Sequence, residues 1–472
     1  MSIALWVVLC GYLGLILTVG LVFARKIRSL EDYFLASRNL GSLLVFLSLA
    51  ASWVGAASTL VTVDQAFTRG ISSFWLMGLP AVLTALAFAL VLAEPIRRLP
   101  IISLPDLVEM RYGRLVRHLV AVLIVWYMIQ LAASQMVALG RFLEGLLRVP
   151  YLQALLLGTA VVVVYAAVGG FFSVALTDGL QFGLLLAGLA VLFGSLWKNS
   201  SFTQAAAEAV RTDRVGFWNF FLDWPKNCLI LLSFLCAWTI SPIVWQRIQA
   251  ARSFRQARKG LLGAAAAFLV VFGLIVAIGI LAVPLFSSGG PKPLFSRIIL
   301  SGSGTFLAGL LFLAVTAAIM STLDTAINTG ALSLTRDIFH NLLGCGRERA
   351  VLVSRISTLM VAALAWLVAT RFQSILEALG LASEILAEGF FIPGVAMLFM
   401  RRPFPTAGLL SVSLGGGYAV LAFLGGTGLL SLPLPQWPYS VPLGLALSLG
   451  GFLGGLAWDR RKSRAVFTPA GE

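Results

Sequence analysis

The chain has 472 residues, of which 59% are hydrophobic and 11% are charged, and its mean hydropathy is +0.96. This composition excludes an ordinary soluble globular protein and predicts a polytopic membrane protein. The formal net charge of +15 would fit a nucleic-acid-binding protein if the chain were soluble. In a membrane protein the same excess orients the spans, so we expect lipid around the chain and no nucleic-acid partner.

Residues that usually build enzymes or metal centres are few and scattered. The sequence contains two histidines, His118 and His340, and four cysteines that form no CxxC pair. This pattern favours neither a zinc site nor a disulfide framework. No GxxxxGK[ST] motif occurs, which argues against a pump driven by ATP. We therefore expect a membrane protein that is not an enzyme.

Apolar segments follow one another along the whole chain. About thirteen of them are long enough to cross a bilayer, which predicts an all-α polytopic fold. They cover residues 3–24, 41–66, 73–98, 117–146, 151–169, 174–198, 226–247, 259–285, 303–334, 350–370, 373–400, 405–425 and 438–458.

The distribution of positive charge predicts the orientation of these spans. Most of the 34 basic residues, including Arg117 and Arg247, fall in loops and helix ends on one face. Cytoplasmic loops carry such an excess. We expect a multi-pass protein of the plasma membrane, of the bacterial inner-membrane type, with its N-terminus outside and its C-terminus in the cytoplasm.

The spans also predict an internal repeat. Helices 2–6 and 7–11 form two groups of five, and because five is odd the second group must be inverted. The first helix of each group carries residues that weaken a helix, Gly55 in one and Pro242 in the other. Interrupted helices at matching places in inverted halves are typical of secondary transporters with a binding site near the membrane midplane. The predicted units are residues 1–40 (N-terminal helix and loop), 41–198 (first repeat), 226–400 (second repeat) and 401–472 (two C-terminal helices and a basic tail).

The ninth predicted helix contains an unusual group of oxygens. Ser321, Thr322, Asp324 and Thr325 lie within an otherwise apolar span. Polar side chains at that depth face a cavity, an ion or another helix, and a set of oxygens alone suits a hard cation. The competing interpretation is that the hydroxyls bond back to the preceding turn of their own helix.

Several short motifs occur in a recognisable order. Together they resemble the sodium:solute symporter family, and the resemblance extends from the first predicted helix to the ninth. The motif residues are Glu31-Asp32-Tyr33-Phe34-Leu35-Ala36-Ser37-Arg38, Leu104-Pro105-Asp106, Arg111-Tyr112-Gly113, Gly169-Gly170, Thr177-Asp178 with Gln181, Pro242 with Gln246-Arg247, and Met320-Ser321-Thr322.

This resemblance implies a fold and an activity. The fold is a LeuT-type inverted repeat of two five-helix groups (helices 2–6 and 7–11) with one additional N-terminal helix and two additional C-terminal helices. The activity is symport of a sodium ion with a small organic solute, of the amino acid, carboxylate, pantothenate or sugar class, by alternating access.

The resemblance also implies where sodium binds. The carbonyl oxygens of Ala51, Val54 and Ala318 and the hydroxyls of Ser321 and Thr322 match the family's sodium ligands. Breaking a helix frees carbonyl oxygens, which a desolvated sodium ion needs.

A second cation position occurs in some members of the family. Its matching residues here are Asp178, Asp324 and Thr325, together with Ser321. An acid at position 324 departs from the all-hydroxyl version, and it either strengthens cation binding or carries a coupling proton. The competing interpretation of Asp178 is a residue near a helix start that the helix dipole stabilises.

Solute-binding residues follow from the same resemblance, which places helices 2, 3, 4, 7 and 11 around the pocket. Ordinary helix packing competes with solute contact for each of them. The family's proline-transporting branch carries an acid at the position of Trp53, which argues against a simple proline assignment. The candidates on helices 2, 3, 4 and 7 are Ser52, Trp53, Ser58, Trp75, Gln130, Gln135, Trp238 and Ser241.

Helix 11 adds Glu384 and Glu388, which lie four residues apart and therefore on one face. These acids either contact a cationic solute, take part in proton coupling or line an outer vestibule, and the sequence leaves the three interpretations open.

Two other functions fit the same residues. A proton-coupled symporter of the same fold is one, because Asp324, Glu384 and Glu388 are available. A transporter-like sensor is the other, although the tail is too short for a signalling domain. The expected partners are the solute co-transported with sodium and membrane lipid, and we expect the chain to function as a monomer.

Overall fold

The computed structural model describes residues 2–24, 29–99, 101–286, 293–301, 304–344, 349–371, 374–400, 402–426 and 431–467. Within these ranges the regular structure is helical, and the only β interaction is an isolated parallel bridge between Leu40 and Ala251. The α-helices are α1 (Ser2–Ala24), α2 (Leu30–Leu35), α3 (Ser42–Trp53), α4 (Thr62–Arg69), α5 (Gly78–Ala87), α6 (Ala93–Arg97), α7 (Leu104–Tyr112), α8 (Arg114–Leu147), α9 (Tyr151–Asn199), α10 (Phe202–Arg211), α11 (Trp224–Thr239), α12 (Pro242–Ala250), α13 (Phe254–Leu281), α14 (Leu294–Leu300), α15 (Thr305–Ser333), α16 (Ala350–Ala369), α17 (Ile375–Phe399), α18 (Pro405–Gly426) and α19 (Val441–Phe467).

Most of these helices are membrane spans. In the described ranges, 11 helical stretches are long and apolar enough to cross a membrane. One of them, α9, has 49 residues, and a straight helix of that length would extend roughly 70 Å, more than twice the thickness of the hydrocarbon core. It changes direction at Gly170, whose φ of 58° and ψ of −167° are not helical. The chain is therefore an all-α polytopic membrane protein.

Two predicted spans are divided in the structure. The segment 41–66 is interrupted after α3, where Val54 leaves the helical region with φ −102° and ψ 65°. A π-helical segment, Ala57–Val61, then continues into α4. The segment 226–247 is interrupted between α11 and α12, and Pro242 begins α12 because a first-turn position needs no N–H donor. Both breaks fall in the first helix of a predicted repeat.

Helix α15 forms the centre of the molecule. It packs against α9, α8 and α3, and 83% of the most apolar window in the stretch Thr305–His340 is buried. Small side chains allow this close approach, as where Gly188 of α9 lies against Ala314. Helices α17, α18 and α19 form a group at one side.

The segments that flank the two broken helices are joined to each other. Leu40, just before α3, donates its N–H to the carbonyl of Ala250 at 2.9 Å, and Arg252, just after α12, donates its N–H to the carbonyl of Leu40 at 2.9 Å. Both broken helices are thereby held at one face of the protein.

Candidate functional site

The break after α3 lies against the middle of α15. Ser321 Oγ is 3.0 Å from the carbonyl oxygen of Ala51 and 2.9 Å from the carbonyl oxygen of Ala318. Thr322 Oγ1 lies 3.4 Å from the same Ala318 oxygen, and Val54 is the residue at which α3 ends. All five side chains are buried. The structure thus brings together the five residues expected to bind sodium.

Glycine is required at the break because other groups come very close to it. A Cβ atom added to Gly55 would lie 2.6 Å from Gln135 Oε1 and 2.9 Å from Thr322 Cβ, closer than side chains approach. Gln135 Oε1 also accepts the N–H of Ala56 at 2.8 Å, which satisfies a donor that the break leaves without a helical partner.

The oxygens at the break suit a small hard cation. The Ser321 hydroxyl has one hydrogen, yet two carbonyl oxygens lie within hydrogen-bonding distance of it. One hydrogen shared between two acceptors leaves both carbonyl oxygens only partly satisfied, and a cation would complete their coordination. Sodium is bound by such neutral oxygens without a carboxylate when several of them converge.

A second buried cluster surrounds the guanidinium of Arg247. This side chain is 0% exposed. Its Nη2 donates to Ser52 Oγ at 2.6 Å and to Thr325 Oγ1 at 2.9 Å, and it lies 3.5 Å from Asp178 Oδ2. The guanidinium therefore occupies the space between Asp178 and Thr325, two residues of the expected second cation position.

Two acids complete this cluster. Asp178 Oδ2 accepts a hydrogen bond of 2.7 Å from Ser48, and Asp324 Oδ2 accepts one from the Tyr165 hydroxyl. Among the described residues, Oδ1 of each acid has no hydrogen-bond partner.

Arg247 and Arg117, which the charge distribution assigns to one face of the membrane, are both buried in the structure. Arg247 lies inside the protein, because α12 leads it back towards α3. Arg117 is only 5% exposed and forms ion pairs with Asp106, Glu109 and Asp337. Since each side chain neutralises buried acids, neither is a simple marker of orientation. The available signal was that Arg247 lies within a predicted span, five residues before the next basic residue, Arg252.

A small cavity adjoins the break. Its volume is about 40 Å³, which leaves room for a few water molecules. Five of the expected solute-binding residues line it, namely Ser52, Trp53, Ser58, Gln135 and Trp238. The other lining residues are Gly55, Ala57, Met77, Tyr127, Leu131, Ile243, Thr322 and Leu379.

Two aromatic rings form part of the wall of this cavity. The ring centroids of Trp53 and Trp238 are 5.1 Å apart, and Trp53 also stacks on Phe268 at 5.6 Å. Trp53 ends α3 and Trp238 lies one residue before the end of α11, so the pair joins the two broken helices. The rings must separate before an organic solute fits between them.

The remaining expected solute-binding residues lie elsewhere. Trp75 donates its indole N–H to the carbonyl of Phe220 at 2.9 Å. Gln130 and Ser241 are buried, and their side chains have no hydrogen-bond partner within the described part of the chain.

The two acids of α17 also lie outside the lining of the cavity. Ser440 donates a hydrogen bond to Glu384, and the carboxyl group of Glu388 packs against Gly444 of α19.

Some residues of the cavity were missed by sequence reasoning. Tyr127 and Leu131 line it together with Gln135, and the three lie at intervals of four on α8. This helical spacing was a usable signal, since residues at i, i+4 and i+8 share a face. Tyr165, which binds Asp324, carried no such signal.

Comparisons with known proteins agree with this geometry. Residues 33–416 match the model of the sodium:solute symporter family. The osmoregulated proline transporter OpuE of Bacillus subtilis is 25% identical, over 90% of this chain and 89% of its own. The sodium/pantothenate symporter of Escherichia coli is 26% identical, over 88% and 90%. The sodium/glucose cotransporter of Vibrio parahaemolyticus is 26% identical, over 82% and 78%.

Solved structures share the fold. A sodium-coupled sialic acid symporter in a substrate-bound outward-open state superposes with a TM-score of 0.79 and 18% identity, over 99% of each chain. Mhp1, a nucleobase-cation-symport-1 family transporter, superposes with a TM-score of 0.57 and 14% identity, over 91% of this chain and 95% of its own. The first likeness covers nearly the whole chain and establishes the LeuT-type fold.

Proposed function

The chain belongs to the sodium:solute symporter family, and we propose that the break after α3 and the middle of α15 form its sodium site. It is a transporter and not an enzyme, and sodium is its coupling ion. The ligands in this proposal are the carbonyl oxygens of Ala51, Val54 and Ala318 and the hydroxyls of Ser321 and Thr322. The observation that carries the proposal is the reach of Ser321 Oγ to both the Ala51 and the Ala318 oxygens.

Sodium at this place couples to the solute through the geometry of α3. The ion would tie the free end of α3 to α15 and hold the following residues in their irregular conformation. Ser52 and Trp53 precede the break directly and line the cavity. An ion that fixes their positions prepares the solute site, and by linkage the solute raises the affinity for sodium by the same factor. Sodium and solute would be released on the other side of the membrane when the two broken helices move away from their present contacts.

A single bound sodium is part of the proposal. Asp178 and Thr325 have Arg247 as their cationic partner, at 3.5 Å and 2.9 Å. A permanently attached guanidinium in this place makes a second metal ion unnecessary, and repels one that approaches. Asp324 accepts a hydrogen bond from the Tyr165 hydroxyl.

The proposed solute is a small organic molecule with an apolar part. The cavity is lined by aromatic and aliphatic side chains and by a few neutral polar groups, Ser52, Ser58 and Gln135, and none of its lining residues is charged. The named relatives carry proline, pantothenate and glucose. Within that range the lining favours a zwitterionic or neutral solute, because an excess charge would find no partner.

The proposal includes the orientation and the repeat. The N-terminus lies outside and the C-terminus in the cytoplasm, with repeats at residues 41–198 and 226–400. The breaks at Val54 and between α11 and α12 support this division, because each falls in the first helix of its group.

A thermal-shift screen of the purified protein tests the function. Amino acids, monocarboxylates, pantothenate, sugars and polyamines are added in sodium chloride and, in parallel, in potassium chloride. We expect one class to raise the melting temperature in sodium alone, because a bound ligand stabilises the folded state. Stabilisation that ignores sodium and follows pH would replace this proposal with proton coupling.

A further inference from the structure

Two buried acids on α17 lie apart from the sodium site and face the two C-terminal helices. Glu384 and Glu388 are 1% and 0% exposed. Ser440, at the start of α19, donates to Glu384, and Gly444, one turn further along α19, packs against the carboxyl group of Glu388. Successive turns of α17 and α19 are therefore in contact at the two acids.

These acids lack the partners that buried carboxylates normally have. Within the described residues, both oxygens of Glu388 and Oε2 of Glu384 have no hydrogen-bond partner, and neither acid forms an ion pair. A charged carboxylate in a membrane span is costly unless a cation, a donor or water compensates it. Two of them one turn apart also repel each other.

A third polar group lies nearby on α18. Tyr418 is 9% exposed, and its hydroxyl has no hydrogen-bond partner in the described chain. It interacts electrostatically with both acids, and it lies one turn from Gly415, which packs against the main chain of Glu388. The hydroxyl is thus an additional polar group that a ligand between the helices would satisfy.

The other titratable groups on the surrounding helices are uncharged or lie at helix ends. Tyr127 of α8 lines the central cavity, and Cys236 is on the opposite end of α11 from Lys226. Helix α18 has no charged residue. The charged residues of α7, α8, α11 and α19 lie near the ends of those helices, and they are Asp106, Glu109, Arg111, Arg114, Arg117, Arg141, Glu144, Lys226, Asp459, Arg460, Arg461, Lys462 and Arg464.

The space between these helices is too small for a hydrated metal ion. Gly444 and Gly415 lie so close to Glu388 that a Cβ atom on either would overlap with it. A proton needs only one or two oxygens at close range, and protonation of one acid removes the charge repulsion between the two. We propose that Glu384 and Glu388 form a proton-binding site between α17 and the C-terminal helices, separate from the sodium site.

A cavity lies close to this site. A cavity of about 210 Å³ is lined by Leu381, one turn before Glu384, and by Trp437, three residues before Ser440. Neither Glu384 nor Ser440 lines this cavity, so water in it reaches Glu384 only when the intervening side chains move. The bound proton removes the repulsion between the acids and holds α17 against α18 and α19. Because Leu379 of the same helix lines the central cavity, loss of the proton alters the wall of the solute site.

Infrared spectroscopy of the purified protein tests the proposal. The C=O stretching band of a protonated carboxylic acid is compared at neutral pH between the wild type and the variants Glu384→Gln, Glu388→Gln and the double variant. We expect the band of the double variant to be weaker by the intensity of about one protonated carboxyl group. The reason is that two charged acids within a membrane span are too costly to persist. The matched control is Asp459→Asn on α19, because Asp459 accepts the N–H groups of Thr406 and Ala407 at 3.0 and 3.1 Å and is stabilised as the anion.

Three other outcomes of these experiments would overturn the proton-binding site. An unchanged band in the double variant overturns the proposal, and so does a wild-type band that appears only after sodium and potassium are replaced by choline. Glutamine copies the shape of the protonated acid, so a Glu388→Gln protein that fails to fold also contradicts it. The melting temperature of the wild type should fall as pH rises above neutral, and that of the double variant should change much less.

The same variants separate this site from the sodium site. The rise in melting temperature that sodium produces is expected to be unchanged in Glu388→Gln. Loss of that response would assign the acids to the sodium site and overturn the proposed separation, whereas absence of any sodium response in the wild type would count against the sodium site alone.

Discussion

Ser321 Oγ lies 3.0 Å from the carbonyl oxygen of Ala51, across the contact between α15 and the end of α3. Ser321→Ala and Thr322→Ala each remove one hydroxyl from the proposed sodium ligands. The loss of a hydrogen-bonding partner to a charged group costs about 1.5–3 kcal/mol, which corresponds to roughly a 10- to 100-fold higher sodium concentration for half-saturation. Sodium-dependent thermal stabilisation of the purified protein measures this without knowledge of the solute.

Thr316 provides the control for this experiment, since it is buried on the same helix and its hydroxyl has no hydrogen-bond partner among the described residues. Thr316→Ala should leave the sodium response unchanged. Equal sodium dependence in all three variants and the wild type would remove the proposed site.

Gly55 is the residue whose missing side chain keeps the break open towards α15. In Gly55→Ala the new methyl group would collide with Gln135 and Thr322, and main-chain atoms would have to move. We expect the sodium response to be lost. We also expect the free energy of unfolding, and with it the melting temperature, to fall, because overpacking usually costs about 1–3 kcal/mol. Gly41→Ala is the matched change, because nothing lies within 4 Å of a Cβ atom there and Gly41 precedes the same helix. A normal sodium response in Gly55→Ala would contradict the proposed role of the break.

The residues of the proposed sodium site carry local signals in the sequence. Gly55 and Pro242 weaken helices at corresponding places, and Ser321 and Thr322 are polar residues in an apolar span. The structure brings the first break and the hydroxyl pair together, and both are properties of single segments. The fold class was predictable for the same reason, because hydropathy is a local property.

Arg247 could not be located in this way. A basic residue near the end of a span is equally consistent with a membrane face and with a buried ion pair. Its position depends on how α12 packs against α3 and α9, which no single segment determines. The neighbours of Glu384 and Glu388 could not be predicted for the same reason. Helices lie on several sides of α17, and the sequence does not reveal which side each residue faces.

Removal of the Arg247 guanidinium should destabilise the protein strongly. Arg247→Gln leaves Asp178 as a buried charge without its cation, and breaking such a pair costs about 3–5 kcal/mol. Adding Asp178→Asn to Arg247→Gln removes the uncompensated charge, so the double variant should recover part of that stability. Thermal unfolding of the two single variants and the double variant measures the interaction directly. Additive losses would mean that Arg247 and Asp178 do not act as a pair.

The same residue predicts the number of sodium ions. With the guanidinium in place we expect the sodium dependence of thermal stabilisation to follow a simple hyperbola, with a Hill coefficient of about one. The double variant Arg247→Gln, Asp178→Asn loses both the repelling guanidinium and the Asp178 carboxylate that would attract a second ion. Its curve of thermal stabilisation against sodium concentration should therefore keep the same shape. A Hill coefficient clearly above one in the wild type would show a second sodium despite Arg247.

The contact between Trp53 and Trp238 predicts how the solute site opens. The two rings lie 5.1 Å apart and leave a cavity of about 40 Å³, so solute binding must separate them. Trp238→Ala should weaken binding of the solute identified by the screen about tenfold or more, because a large aromatic surface is lost. Sodium-dependent stabilisation should persist, since neither ring is a proposed sodium ligand. Trp75→Ala is the control, because Trp75 bonds to Phe220 outside the cavity, and an equal loss in that variant would mean that Trp238 acts through stability and not through solute contact.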